Sequence, residues 1–422
     1  YDKKKTFFKD IYLHPISTIS EFKLNKFQIS KNNKYWTLKK NKAETCKTFQ
    51  EFYEKFIIKF RKSLNLNLVS DVKVGLLHSS GTDSNFLKSF IEKDLKRKID
   101  SYTFGWKNKK YNEIGMLKKI GHDIKKKNSI SLNGNEILKN LKEMIHKCEG
   151  PIGGFGTAGL YNLMKIIKRN KTKVVLSGEG GDEFFLGYLN LKVIFLRNLY
   201  EKNKELFYLE LKKFNKINNK QFINAKAFLS YSNNFANEKL FTPDGKEVGD
   251  YILLNKFKKT KPIKKKLSIS SIIKNYAESI KIPKLLTFLD KCSGAHGVEC
   301  RVPMLDHDLV NFVYSNEDTF KIRNGITKYP IIKWLKENDT KHYISKLNVS
   351  TNQREFFKRK VIYKKITNLL KKGELVKSGI LNYAIFNEKY SRYLKQKELG
   401  NSFFIWKVVN AEYFLQAFKE NN

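Results

Sequence analysis

Apolar positions along the chain change their period several times, and each change marks an element. From about Lys42 to Leu66 the spacing is helical. A largely apolar run from Val72 to Leu77 follows, bounded by Ser70-Asp71 and Ser79-Ser80-Gly81, which predicts a strand entering a tight turn. Asp83 to Lys93 returns to a helical period with Phe86, Leu87, Phe90 and Ile91 on one face. Short strands are predicted again at Ser101 to Gly105, Ile130 to Leu132 and Lys173 to Leu176, with helical stretches between them. This alternation predicts an α/β fold, a parallel sheet with helices on both faces. Beyond about Leu191 the pattern is mainly helical, with helices predicted through Phe207 to Phe214, Ile272 to Lys281 and Tyr329 to Glu337, and the Lys-rich stretch 256 to 266 reads as a loop. The opening pieces around Phe7 to Ile11 and Lys34 to Trp36 are short and aromatic-rich, with no helical period.

Parallel sheets bind ligands beyond the carboxyl ends of their strands, so the loops after the first and fourth predicted strands are the places to seek chemistry. The first is His78-Ser79-Ser80-Gly81-Thr82-Asp83-Ser84. Leaving a strand and opening a helix, it gathers backbone N–H groups and hydroxyls at the positive end of a helix dipole, an arrangement suited to anions. No Gly-Lys-Ser/Thr follows, so it is not a Walker loop. It resembles instead the Ser-Gly-Gly-x-Asp-Ser loop of the ATP pyrophosphatases. A plain helix cap is the competing explanation. The second loop, Ser177-Gly178-Glu179-Gly180-Gly181-Asp182-Glu183, places three acids within five residues at a strand end. Like charges crowded in this way call for a cation or an amine nearby.

Charge changes the picture less than its size suggests. The 83 Lys and Arg residues against 41 Asp and Glu give a formal +42, but the lysines run from end to end and form no single basic stripe. The field should attract phosphates and make RNA binding salt-sensitive, without specifying a nucleic acid. Cys46, Cys148, Cys292 and Cys300 fit neither a disulfide framework nor a zinc pattern and read as thiols. No run of eighteen apolar residues and no signal-peptide pattern occurs, so the expected home is the cytoplasm and no membrane partner is expected.

With both loops in view, Lys173 to Tyr188 resembles the Val-Leu-Ser-Gly-Glu-Gly-x-Asp-Glu stretch of the asparagine synthetase family. Gly297-Val298-Glu299-Cys300-Arg301-Val302-Pro303-Met304-Leu305-Asp306-His307 resembles that family's Gly-Val-Glu-x-Arg-Val-Pro-Phe-Leu-Asp-His stretch, and the likeness extends to Trp406. It implies a synthetase domain over residues 42–422, with residues 1–41 similar to the last strands of the family's N-terminal glutaminase domain. It further implies adenylation of a carboxylate, by default the β-carboxylate of aspartate, followed by attack of ammonia drawn from glutamine in a complete protein. ATP and Mg²⁺ are the implied cofactors, and a homodimer is left open.

Carried over residue by residue, the resemblance assigns Ser79, Gly81, Asp83 and Ser84 to pyrophosphate, and Asp83 with Asp182 to Mg²⁺. The backbone at His78 and Phe104, with Ser177 and Gly178, is implied to hold adenine and ribose. Glu179 is implied to receive ammonia, and Lys328 to steady the phosphate charge, so that Glu179, Lys328 and Asp83 are the implied catalytic residues. Glu299, Arg301 and Asp306 read first as a structural ion-pair network, and Tyr329 and Trp334 as packing residues on a helix. Some positions depart from the family. Ser80 adds a side chain where backbone should approach phosphate, Gly294 replaces a common Met, Lys333 a common Arg, and Phe185-Leu186-Gly187-Tyr188 keeps only part of a Phe-Gly-Gly-Tyr ending. Pro151-Ile152-Gly153-Gly154-Phe155-Gly156-Thr157 is richer in glycine than the family's substrate stretch, which leaves room for another carboxylate: a β-lactam, peptide or sugar-acid amidation. A tRNA-binding protein of the pyrophosphatase-loop group is the more distant alternative.

Overall fold

A computed structural model describes residues 5–25, 28–218, 222, 224–236, 251–252, 268–340, 351–396 and 400–419. The Lys-rich loop expected at 256 to 266 lies outside the described residues.

The chain opens with an antiparallel pair, β1 (Thr18–Lys23) and β2 (Gln28–Lys34), whose register shifts between Glu21 and Phe22. Ile19, Phe22 and Ile29 on this pair are exposed. The first long helix, α1, runs Phe49–Leu68 and starts later than its period suggested, because Thr48 accepts a hydrogen bond from the Glu51 N–H and caps it. Its Phe52, Phe56 and Phe60 recur every fourth residue and bury one face completely.

Next come β3 (Val74–Leu77), α2 (Thr82–Ser89), β4 (Asp100–Trp106), α3 (Glu113–Lys119), β5 (Ser129–Leu132), α4 (Phe155–Arg169) and β6 (Val174–Leu176). Four strands thus stand where the apolar runs placed them. A π turn, Phe90–Asp94, continues α2. The fifth strand, β7 (Glu299–Arg301), was not foreseen; two of its three residues are charged, so only backbone pairing of Val175 with Cys300 reveals it. All five strands are parallel, in the order β5-β4-β3-β6-β7.

Successive strand residues face opposite sides, and both sides are covered. Leu76 and Leu176 enter a core with Phe56, Phe60, Phe86 and Phe90, while Tyr102 and Val175 pack against Leu163, Met164 and Ile167 of α4 and Leu289 of α5 (Ile282–Gly294). The remainder is mainly helical and includes α6 (His307–Ser315), α7 (Tyr329–Asn338) and α8 (Phe403–Lys419). Among the described residues no helix is long and apolar enough to cross a membrane.

Candidate functional site

The strand order fixes where a ligand can lie. From β3 the chain moves outward through β4 to β5, then returns to place β6 on the other side of β3, so the strand order reverses between β3 and β6. The loops after those two neighbouring strands diverge around a crevice at this switch point. A cleft of about 650 Å³ opens there. It is lined by every residue that the sequence singled out for ATP and catalysis: His78, Ser79, Gly81, Asp83, Ser84, Phe104, Ser177, Gly178, Glu179, Asp182 and Lys328.

The first loop is held by its own hydroxyls. Ser84 Oγ donates to the Ser79 carbonyl at 2.8 Å, and Ser79 Oγ accepts from the Gly81 N–H at 3.2 Å. Gly81 is the N-cap of α2, and no side chain caps that helix, so the serines are not serving as caps. Its N-terminal N–H groups remain available to an anion. Ser80 is buried with its hydroxyl toward Met116 Sδ, and it does not line the cleft. The side chain expected to obstruct a phosphate therefore points away from it.

The second loop lies against the first. A Cβ on Gly178 would stand 3.0 Å from Asp83 Cβ and 3.2 Å from the Ser84 nitrogen, so a side chain there would press the two loops apart by a few tenths of an ångström. Gly180 adopts φ +103°, a left-handed turn that glycine makes without strain and that starts the Gly181–Phe184 turn of helix carrying Asp182 and Glu183. Glu183 is fully buried and accepts the Tyr188 hydroxyl.

Lys328 is the cation that the crowded acids demanded. Its Nζ donates to Asp83 Oδ2 at 2.6 Å and to Asp182 Oδ1 at 2.8 Å, and its side chain is 4 % exposed. Burial alone would lower the ammonium's pKa; Asp83 and then Asp182 outweigh it and push the group up to about 12. The lysine is delivered by an unusual backbone. Asn324, Gly325 and Lys328 all have positive φ, and Lys328 N–H donates to the Phe185 carbonyl just ahead of α7. Glu210, buried on the Lys204–Asn218 helix, accepts from the N–H groups of Asn324 and Gly325 at 2.7 and 2.6 Å and so clamps the turn. Sequence reasoning missed Glu210, which lies more than a hundred residues from the turn it holds.

Two cleft carboxylates are held near neutrality. Burial, then Glu183, Asp83 and Asp182, push Glu179 up to about 7, with Lys328 opposing. Burial likewise raises Glu113 to about 7, against the pull of the Ser80 N–H that it accepts. Glu113 was also missed; as the first residue of α3, which Asn112 caps, it carried only the signal of an ordinary helix start. His78 lines the cleft, and its ring is hydrogen-bonded to Ser101 and Asn85.

Among the described residues no group of three or more His, Cys, Asp or Glu side chains forms a metal cluster. Asp83 and Asp182, converging on one ammonium, supply hard oxygen donors from two loops. That set fits Mg²⁺ arriving on phosphate oxygens, because this ion takes few protein ligands and keeps waters and phosphate in its shell.

The cleft lining also includes the apolar Leu160, Leu163, Leu285, Phe288 and Leu289, together with Gly156 and Thr157. The glycine-rich stretch is a packed clamp. Gln353 and Phe403 fill the space that a side chain on Gly154 would need, and Trp406 Nε1 donates to the carbonyls of Ile152 and Gly153. Other singled-out residues stay outside the cleft. Arg301 pairs with Glu299 at 2.7 Å and binds the carbonyls of Asn67 and Val69 at the end of α1. Among the described residues Asp306 joins no such network; it caps α6 through the Asp308 and Leu309 N–H groups. Trp334 packs on Phe86 and Phe90, Tyr329 on Phe49, and Lys333 pairs with Glu337. All four cysteines are free thiols.

The family model for asparagine synthase matches residues 56–416. Glutamine-hydrolysing asparagine synthetase 1 of Bacillus subtilis (strain 168) is 26% identical over 298 residues, covering 64% of this chain and 45% of that protein. The glutamine-hydrolysing asparagine synthetases of Rattus norvegicus and Homo sapiens are each 28% identical over 139 residues, covering 31% of this chain and 25% of theirs. The chain thus spans less than half the length of these curated relatives. A match that takes in both strand-end loops, the cleft between them and the Lys328 turn places the chain in the asparagine synthase family.

Proposed function

We propose that this chain carries out ATP-dependent amide synthesis of the asparagine synthase type. The observation that carries the reading is the meeting of Asp83, Asp182 and Lys328 between two loops at the sheet's switch point. In the proposed first step a carboxylate oxygen, by default from the β-carboxylate of aspartate, forms a bond to the α-phosphorus of ATP. The bond to the β-phosphate oxygen breaks and pyrophosphate leaves. Ser79, Gly81 and Ser84, with the N-terminus of α2, receive the departing β- and γ-phosphates. Mg²⁺, held by Asp83 and Asp182, would neutralise charge on those oxygens. The Lys328 ammonium, held between both aspartates, would stabilise charge that develops on phosphate in the transition state.

In the second step ammonia attacks the acyl carbon and AMP departs. Glu179, pushed up to about 7 within the cleft, would orient the amine and accept its proton. Backbone of His78, Phe104, Ser177 and Gly178 would hold adenine and ribose. Residues 1–41 are the candidate remnant of a glutaminase domain; the exposed apolar side chains of β1 and β2 support a neighbour there. Ammonia from such a domain, or free ammonium, would serve as nucleophile. The cytoplasm is the proposed location, a homodimer the open assembly state, and no nucleic acid enters the reaction.

The apolar lining at Leu160, Leu285 and Phe288 favours one second reading, adenylation of a carboxylate with a less polar body than aspartate. Incubating the purified chain with ATP, aspartate and ammonium tests the first reading. It predicts equimolar AMP, pyrophosphate and asparagine from ammonium and none from glutamine. ADP and phosphate as products would end the adenylation proposal, whereas AMP formation stimulated only by other carboxylates would select the second reading.

A further inference from the structure

A second cleft, of about 740 Å³, opens at the other end of the strands, where β3 and β4 begin at Val74, Asp100 and Ser101. Its charge is lopsided. Lys73, Lys88, Arg97, Lys98 and Lys125 line it against Glu92, Asp100 and Asp123. The carboxylates are largely committed, since Lys73 and Lys125 share Asp100 and Lys88 pairs with Glu92. Arg97 and Lys98 are exposed and hold no ion pair among the described residues. An excess of cations, including a guanidinium whose fork matches phosphate oxygens, gathered in a concave site, selects a small polyanion.

The two clefts share a wall. His122, buried, lines the second cleft, and its ring lies edge-on to that of His78 with centroids 4.5 Å apart. Between them stands Asn85, whose Nδ2 donates to the Gly81 carbonyl at 2.8 Å in the phosphate loop. That contact fixes Oδ1 as the acceptor, and both histidines reach it through Nε2, His78 at 3.0 Å and His122 at 2.9 Å. Both rings therefore carry a proton on Nε2, and His78 Nδ1 accepts from the Ser101 hydroxyl at 3.1 Å. Ser101 also lines the second cleft, and His78 lines the first.

We propose that the second cleft binds a phosphate-bearing anion and that its occupancy reaches the nucleotide loop through His122, Asn85 and His78. An anion at Arg97 and Lys98 changes the field at the His122 ring and, with it, the strength of the donation to Asn85 Oδ1. The His78 donation competes for that same oxygen, and the amide that both hold is the one bonded to Gly81. The binding itself is independent of the reaction proposed above.

The test uses the full chain with ¹⁵N-labelled histidine, titrated with inorganic phosphate and followed by ring ¹⁵N and by ³¹P resonances. The His122 and His78 nitrogens should respond together, with one affinity. Arg97→Glu/Lys98→Glu, at two exposed positions, should weaken that affinity by about tenfold or more. His122→Phe should retain phosphate by ³¹P while the His78 response vanishes. Unchanged affinity in the double variant would assign the phosphate to the nucleotide loop or the general basic surface and overturn the site, as would a silent His122. A His78 response that persists in His122→Phe would overturn the coupling.

Discussion

Replacing Lys328 with methionine probes the join between the two loops. The ammonium is almost fully buried and meets carboxylates at 2.6 and 2.8 Å. At an effective dielectric of about 20, each contact is a gross attraction of roughly 6 kcal/mol, most of it offset by desolvation of the three groups. Methionine keeps the stem's volume and removes the charge, which leaves Asp83 and Asp182 facing one another. The expected loss is about 3–5 kcal/mol, the range for an uncompensated buried partner. Urea unfolding of wild type, Lys328→Met and Lys328→Met/Asp182→Asn measures it, and the double variant should recover about 1–2 kcal/mol by removing the repulsion. Turnover should fall by about 10²–10³-fold in the single variant, the scale of losing one preorganised donor at developing charge. Stability within about 0.5 kcal/mol of wild type would refute the idea that this ammonium holds the loops together.

Other positions give independent checks. Glu210→Ala strands the N–H groups of Asn324 and Gly325, with an expected cost of about 2–4 kcal/mol; kcat should drop more than KM for ATP changes, and Glu210→Gln, which keeps one acceptor, should restore part of it. Ser80→Gly should leave ATP affinity within about twofold, because the hydroxyl faces Met116; a gain above tenfold would show that the side chain does crowd phosphate. Glu179, pushed up to about 7, is protonated in the folded chain over a range where an unfolded carboxyl near 4.5 is not. The folded state thus holds the extra proton between about pH 4.5 and 7, and its stability declines as pH rises through that window. Amide formation should rise with pH through about 7 as the carboxylate appears, and Glu179→Gln should flatten that rise and reduce the stability dependence to the part that Glu113 supplies; a rise that survives in Glu179→Gln would remove this residue as the proton acceptor.

The sequence made the two loops legible because their chemistry is local. Ser79 to Ser84 and Ser177 to Glu183 each follow an apolar strand closely, and nine acidic or hydroxyl residues fall within a few residues of the two strand ends. Lys328 carried no such signal; by itself it is one lysine among many, and only the resemblance singled it out. The groups that hold the site were less visible for the same reason. Glu210 reaches its turn across 114 positions, and Asn85 meets His122 across 37, so neither leaves a periodic trace. Strand β7 was hidden because charged residues at Glu299 and Arg301 mask a strand whose partner is set by backbone register. Asp306 was grouped with that pair by proximity, although its partners are the N–H groups of the helix it starts. The glycine-rich stretch looked like an altered substrate loop, yet a side chain on Gly154 would meet Gln353 and Phe403, and the Ile152 and Gly153 carbonyls are held by Trp406.

The central claim is that the cleft between the β3 and β6 loops activates a carboxylate by adenylation. Carboxylate-dependent exchange of labelled pyrophosphate into ATP measures that step without ammonia or glutamine. The account predicts exchange by the wild-type chain in the presence of aspartate, or of a less polar carboxylate, and a loss of about 10²-fold or more in Asp83→Asn with the fold intact. Equal exchange by wild type and Asp83→Asn would contradict it.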